Sequence, residues 1–143
     1  MGKTLGNQAS YPFLTMSVRN PLEPGDRDCI GFALLDTGAD KNTISEDAAH
    51  RLGPGHDIDD TDRPTFNTYT GDQKIQALGK VYLHFFLKER GKWYKDYFYI
   101  LPQETTLDVL LGHQFLRREK VLKYCTPFLM KVKNVIRSFQ RRR

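Results

Sequence analysis

Asp36, Thr37 and Gly38 stand in a row at the end of the apolar run 29–35, which carries no charged residue. Such a run reads as a strand buried on both faces that delivers one carboxylate to its end. A carboxylate in that position is costly unless it is hydrogen-bonded or does chemistry, and the chemistry within its reach is general acid–base work. Thr37 supplies a short hydroxyl, Gly38 lets the backbone bend without a Cβ clash, and Ala39 leaves space beside the acid. The chain is therefore expected to turn here and leave Asp36 facing a cleft. Asp and Gly also build ordinary surface turns. A hairpin turn, however, is normally entered from alternating residues, whereas this one follows a continuous apolar run and precedes a second strand-like run, 42–45.

Two further segments matter: Thr70-Gly71-Asp72-Gln73-Lys74-Ile75, and Asp108-Val109-Leu110-Leu111-Gly112. Together with Leu34-Leu35-Asp36-Thr37-Gly38-Ala39-Asp40, in this order and spacing, they make the chain resemble the retropepsins over residues 13–132. These are the aspartic proteases of retroviruses and LTR retrotransposons, with cellular relatives of the same fold. Three matching segments are far more specific than one. The resemblance implies an all-β, single-lobe acid protease barrel with a flap hairpin and one or two short helices, working as a homodimer. It implies catalytic roles for Asp36, Thr37 and Gly38, with Thr37 bonding across the dimer axis and Gly38 offering backbone acceptors to an extended substrate. Substrate contact would fall to Ala39, Asp40, Ile75 and Leu111 and to the hairpin tip Tyr69, Thr70, Gly71 and Asp72. Leu110, Gly112 and His113 would support the turn from behind. Relatives often pair the acid at the Asp40 position with an Arg just after the second-motif Gly. Here His113 stands there, Arg117 or Arg118 is the substitute one helical turn on, and a His at this place could make dimer stability depend on pH.

Two-lobed aspartic proteases carry two such acid turns, but this sequence has only Asp36-Thr37-Gly38, so the partner acid must come from a second copy. Two carboxylates brought within a few ångströms cannot both ionise cheaply and share one proton. The ionised partner then takes a proton from a water held between them while the protonated one donates to the peptide carbonyl, with no covalent adduct. The pair titrates as a unit, which predicts a bell-shaped pH profile with an acidic-to-neutral optimum. The substrate is expected to lie as an added strand, its alternate side chains in pockets. A Gag-Pol-like polyprotein of a retroelement is the expected target. The alternative is a catalytically silent dimerisation or interaction module of the same fold.

With 143 residues, 39% hydrophobic content, nine Phe, seven Tyr and one Trp, the chain suffices for one core. The expected division is a flexible segment 1–12, a protease domain 13–134 and a basic tail 135–143. The net charge of +5 is uneven, because Lys131, Lys133, Arg137, Arg141, Arg142 and Arg143 crowd the last segment. A solvated end is the stronger reading of that crowd, and nucleic acid is expected to be met only through this tail. Neither a membrane span nor a signal peptide is indicated, and Asn-X-Ser/Thr sites are absent, so the expectation is a cytoplasmic protein or one inside virus-like particles. Cys29 and Cys125 are expected as buried hydrophobes rather than a disulfide. Four histidines and two cysteines show no ligand spacing, and no metal or other cofactor is expected.

The elements that must position these groups are mostly strands. Residues 13–19 alternate as a strand, and the turn cluster 20–26 leads into the strand ending at Asp36. Ser45 is a good N-cap for a short helix 46–52 that Gly53-Pro54 stops. The acidic stretch 54–64 reads as a solvated loop. Ile75, Ala77, Gly79, Val81, Leu83, Phe85 and Leu87 share one face of a long strand, which pairs with 65–70 as the flap hairpin. After the turn Glu89-Arg90-Gly91 comes an aromatic strand 93–101, whose rings read as core and sheet packing rather than a platform for bases. A strand 109–112 leads into a helix 113–118, and late strands at 121–125 and 128–132 are the expected subunit contact.

Overall fold

The computed structural model describes residues 13–67, 73–102 and 108–121. The first long hairpin is β1 (Phe13–Arg19) against β2 (Arg27–Asp36), antiparallel, with Phe13 opposite Leu34. After the Asp36 turn come β3 (Thr43–Ser45) and α1 (Glu46–His50), then the short β4 (Ile58–Asp59), and the hairpin β5 (Thr65–Asn67) with β6 (Lys74–Gln76). Next follow β7 (Gly79–Leu87), β8 (Lys92–Leu101), β9 (Val109–Gly112) and α2 (His113–Arg118).

Six strands run in the order β1-β2-β9-β3-β8-β7, and β7 pairs back onto β1, which closes the sheet into a barrel. Closure removes the free edges that would otherwise invite other chains to pair. Two pairings carry the site: β2 lies parallel to β9, and β3 fits between β9 and β8. Leu34, Leu35, Ile44, Leu83, Phe98 and Leu111 are sealed inside, and each such side chain contributes about 1.5–3 kcal/mol by leaving water. Phe115 of α2 packs its ring 5.5 Å from Phe85, so the helix caps the core behind the Asp36 turn. No helix among the described residues is long and apolar enough to cross a membrane.

Local chemistry accounts for the element ends. Ser45 Oγ accepts the Ala48 N–H at 3.0 Å and caps α1. The helix stops at His50, two residues earlier than expected, because Arg51 and Leu52 already bond back to the Ala48 and Ala49 carbonyls in a closing turn. The predicted long strand is divided: its buried face persists, but Ala77 bonds to the Pro64 carbonyl and Leu78 to that of Ile100. The chain thus changes partner from β5 to β8 between Gln76 and Gly79. Gly79 is required there, since a Cβ would fall 2.7 Å from the Asp59 carbonyl oxygen. That same approach makes β4 a strand where a loop was expected, with Ile58 opposite Val81 and Asp59 opposite Lys80.

β2 is buried on both faces only over its last four residues, where β9 lies alongside. Its register slips between Met16 and Ser17, and this bulge turns Cys29 to the solvent as a free thiol instead of a core side chain. The rings of β8 divide in the same way: Tyr94 and Phe98 are buried, while Trp93 and Tyr97 point outward. Residues 1–12, the hairpin tip Tyr69, Thr70, Gly71 and Asp72, Cys125, the late strands beyond Val121 and the basic tail lie outside the described residues.

Candidate active site

Asp36 ends β2 directly opposite Gly112 at the end of β9. Its Oδ1 accepts the Gly38 N–H at 2.8 Å and its carbonyl accepts the Ala39 N–H at 3.3 Å, so the side chain and the backbone of one residue close the turn. Gly38 is exposed and Thr37 and Ala39 are half-buried beside it. The Thr37 hydroxyl makes no hydrogen bond among the described residues. Asp36 itself is fully buried within the single chain. The physical reason is the depth of its seat: Leu34 and Leu35 before it and Leu111 and Gly112 beside it are all buried.

The loop after the turn is stapled to α2. The His113 N–H donates to the Ala39 carbonyl at 2.6 Å and the Gln114 N–H to the Asp40 carbonyl at 3.3 Å, while Lys41 Nζ reaches Gln114 Oε1 at 3.2 Å. These contacts need Gly112, where a Cβ would fall 2.5 Å from the Lys41 carbonyl oxygen. Gly112 and the His113 backbone thus lie against the 39–41 loop that follows the turn.

Asn42 is the residue that sequence reasoning missed. Its buried side chain bridges β9 and β8, with Oδ1 accepting from Gly112 and Nδ2 donating to Asp96 and to the Tyr97 carbonyl. Arg118 bonds Asp96 at 3.1 Å and Glu119 at 2.9 Å. No ion pair joins Asp40 to Arg117 or Arg118 among the described residues, so the substitute pairing expected from α2 is not made: Asp96 holds Arg118 instead. Asp40 is exposed at the rim of a recess of about 140 Å³ lined also by Lys41, Asn42, Asp96 and Arg118. Asp108, at the head of the second motif, ion-pairs with Arg51 at 3.0 Å and ties α1 to β9.

The remaining expected residues are distributed as follows. Ile75 is half-buried on β6. Leu111, expected at the substrate, is fully buried, whereas its neighbour Leu110, expected as support, is partly exposed. The alternation of β9 accounts for the difference in burial.

No protein-family model matches the sequence, and no curated protein matches it. Among solved structures the chain is similar to the EIAV protease complexed with the inhibitor HBY-793, with a TM-score of 0.52 and 14% identity. That match covers 76% of this chain and 88% of the other. At this identity the likeness shows the fold, a retropepsin-like barrel with few short helices.

Proposed function

We propose that the chain is one half of a homodimeric aspartic endopeptidase acting on extended polypeptides, with a Gag-Pol-like polyprotein as the substrate class. The observation that carries this reading is the seat of Asp36: one acid, held by the Gly38 N–H at the end of β2 and opposite Gly112, in a barrel of retropepsin-like fold. Since the sequence holds one such turn, the catalytic pair is completed by the Asp36 of a second copy. The Thr37 hydroxyl, unengaged among the described residues, is the group to bond across the axis.

In the paired site one carboxyl is protonated and the other ionised. The ionised Asp36 takes a proton from the bridging water, whose oxygen attacks the scissile carbonyl carbon, while the other Asp36 gives its proton to the carbonyl oxygen. Collapse of the tetrahedral intermediate breaks the C–N bond, and the amine leaves with a proton returned from the pair. The Gly38 backbone and Asp40 align the substrate main chain, while Ala39, Ile75 and Leu110 offer apolar surface to alternate side chains. The hairpin β5–β6 with its tip Tyr69, Thr70, Gly71 and Asp72 serves as the flap.

Burial of Asp36 in the single chain favours one other reading, a silent interaction module in which the acid only holds the turn. A peptide library presented to wild type and to Asp36→Asn separates the two. Under the enzymatic reading wild type cleaves and the variant, with its fold intact by circular dichroism, does not. Cleavage surviving in Asp36→Asn, or absent from a dimeric wild type, defeats it.

A further inference from the structure

The outward face of the β7–β8 ladder is a row of rings. Opposed residues of an antiparallel pair stand side by side on one face, and the outward pairs here are Tyr82 with Tyr97, His84 with Lys95, and Phe86 with Trp93. Ring centroids are 4.7 Å apart for Tyr82 and Tyr97, 4.9 Å for His84 and Trp93, and 5.3 Å for Phe86 and Trp93. The inward residues of the same strands, Leu83, Phe85, Tyr94 and Phe98, already fill the barrel. The outer rings are therefore surplus to the core. Tyr82, Trp93 and Tyr97 remain 47%, 44% and 48% exposed. Trp93 and Tyr97 are about 13 Å apart along the strand.

Cations are threaded between these rings. The Arg27 guanidinium lies 4.9 Å over Phe86 and 6.0 Å from Trp93, and Lys80 Nζ lies 4.5 Å over Tyr97. Arg19 approaches His84 Nδ1 at 3.4 Å, and Lys95 is exposed between Trp93 and Tyr97. His84 registers these surroundings: partial burial first, then the charges of Lys95 and Arg19, hold its pKa below the ordinary imidazole value. None of the outward positions from 80 to 86 on β7 or from 93 to 99 on β8 is acidic. The flanking carboxylates are already engaged, Asp62 by Lys80 and Tyr99 at one end and Glu89 by Thr15 at the other.

We propose that this face binds single-stranded nucleic acid, with bases stacking on Tyr82, Trp93 and Tyr97 and phosphates meeting Arg19, Arg27 and Lys95. Exposed flat rings beside cations that make no ion pair among the described residues, without an intervening acid, suit a polyanion that carries aromatic bases. Rings beside cations also suit an anionic lipid surface, but the outward positions of this ladder hold no aliphatic side chain to deepen such an insertion. The site uses none of the residues of the Asp36 turn, so it stands whether or not the chain cleaves peptides.

Trp93 is the sole tryptophan of the chain, so its emission reports directly on stacking. The full chain is titrated with an oligouridine about 12 nucleotides long, within the usual site size. The expected result is saturable quenching of Trp93 that weakens with salt by a slope of about −0.7 per phosphate engaged. Arg27→Gln with Lys95→Gln should weaken this binding about tenfold, while Arg141→Gln, Arg142→Gln and Arg143→Gln together should leave the quenching in place. The proposal is overturned if the oligonucleotide leaves Trp93 emission unchanged, or if quenching disappears in the tail variant and persists undiminished in the Arg27, Lys95 variant. A blue shift with anionic phosphatidylserine vesicles, without quenching by the oligonucleotide, overturns it as well.

Discussion

The backbone N–H of Gly112, the residue that stands opposite Asp36, donates to the buried Asn42 Oδ1 at 2.9 Å. Asn42 Nδ2 donates in turn to Asp96 Oδ2 at 3.0 Å and to the Tyr97 carbonyl at 3.2 Å, so one buried amide joins three segments. Asn42→Ala leaves a buried donor without its acceptor, which costs about 2–3 kcal/mol. Thermal or urea unfolding of the variant should show that loss.

The Arg118–Asp96 ion pair in the same network behaves differently, because half of the Arg118 side chain is exposed. Solvent screens such a pair, and Arg118→Ala should change stability by less than about 1 kcal/mol. A loss as large as that of Asn42→Ala would mean that Arg118 holds the network together.

Gly112→Ala tests the staple between the turn and α2. A methyl group would fall 2.5 Å from the Lys41 carbonyl oxygen, and the backbone must move to admit it. The expected cost is about 1–3 kcal/mol, as for other overpacked sites. Urea unfolding gives that number, and a variant as stable as wild type would show that the 39–41 loop gives way freely.

Much of this arrangement is legible in the one-dimensional pattern, and the parts that are not share a cause. The run before Asp36, the segment Val109–Gly112 and the helix His113–Arg118 declare themselves through short-range signals: unbroken apolarity, a glycine and a change of period. Asn42 gives no such signal, because its partners Asp96 and Gly112 are 54 and 70 residues away and a polar residue at a strand entry reads as solvated. Cys29 misleads because the bulge at Met16 and Ser17 depends on the register of two strands, which neither strand encodes alone. The depth of Asp36 is likewise a property of the packed barrel, since β9 that walls it in arrives more than 70 residues later. The rings of β8 read as core and sheet packing because local pattern could not say that the core was already full without Trp93 and Tyr97, which stand exposed.

Acid should destabilise the fold through His56. Its Nε2 is buried with no hydrogen-bond partner among the described residues, and that burial lowers its pKa, with the Asp28 charge opposing only in part. A histidine whose folded pKa lies below the unfolded value of about 6.5 binds its proton more readily once unfolded, so stability is intact above that pH and declines as pH falls through and below it. His84 adds to the decline for the same reason of sign. The thermal midpoint should fall between about pH 7.5 and pH 5.5, and less so in His56→Asn. An equal fall in the variant would assign the acid sensitivity to other groups.

The pairing of Asp36 with its twin is tested most directly by titrating Asp36→Asn into a fixed amount of wild type under conditions where both dimerise and exchange, with peptide cleavage as the readout. If each active unit needs two Asp36 residues, mixed dimers are dead, and nine equivalents of the variant leave about one tenth of the activity. Activity that stays level as the variant is added would place the whole catalytic centre within a single chain.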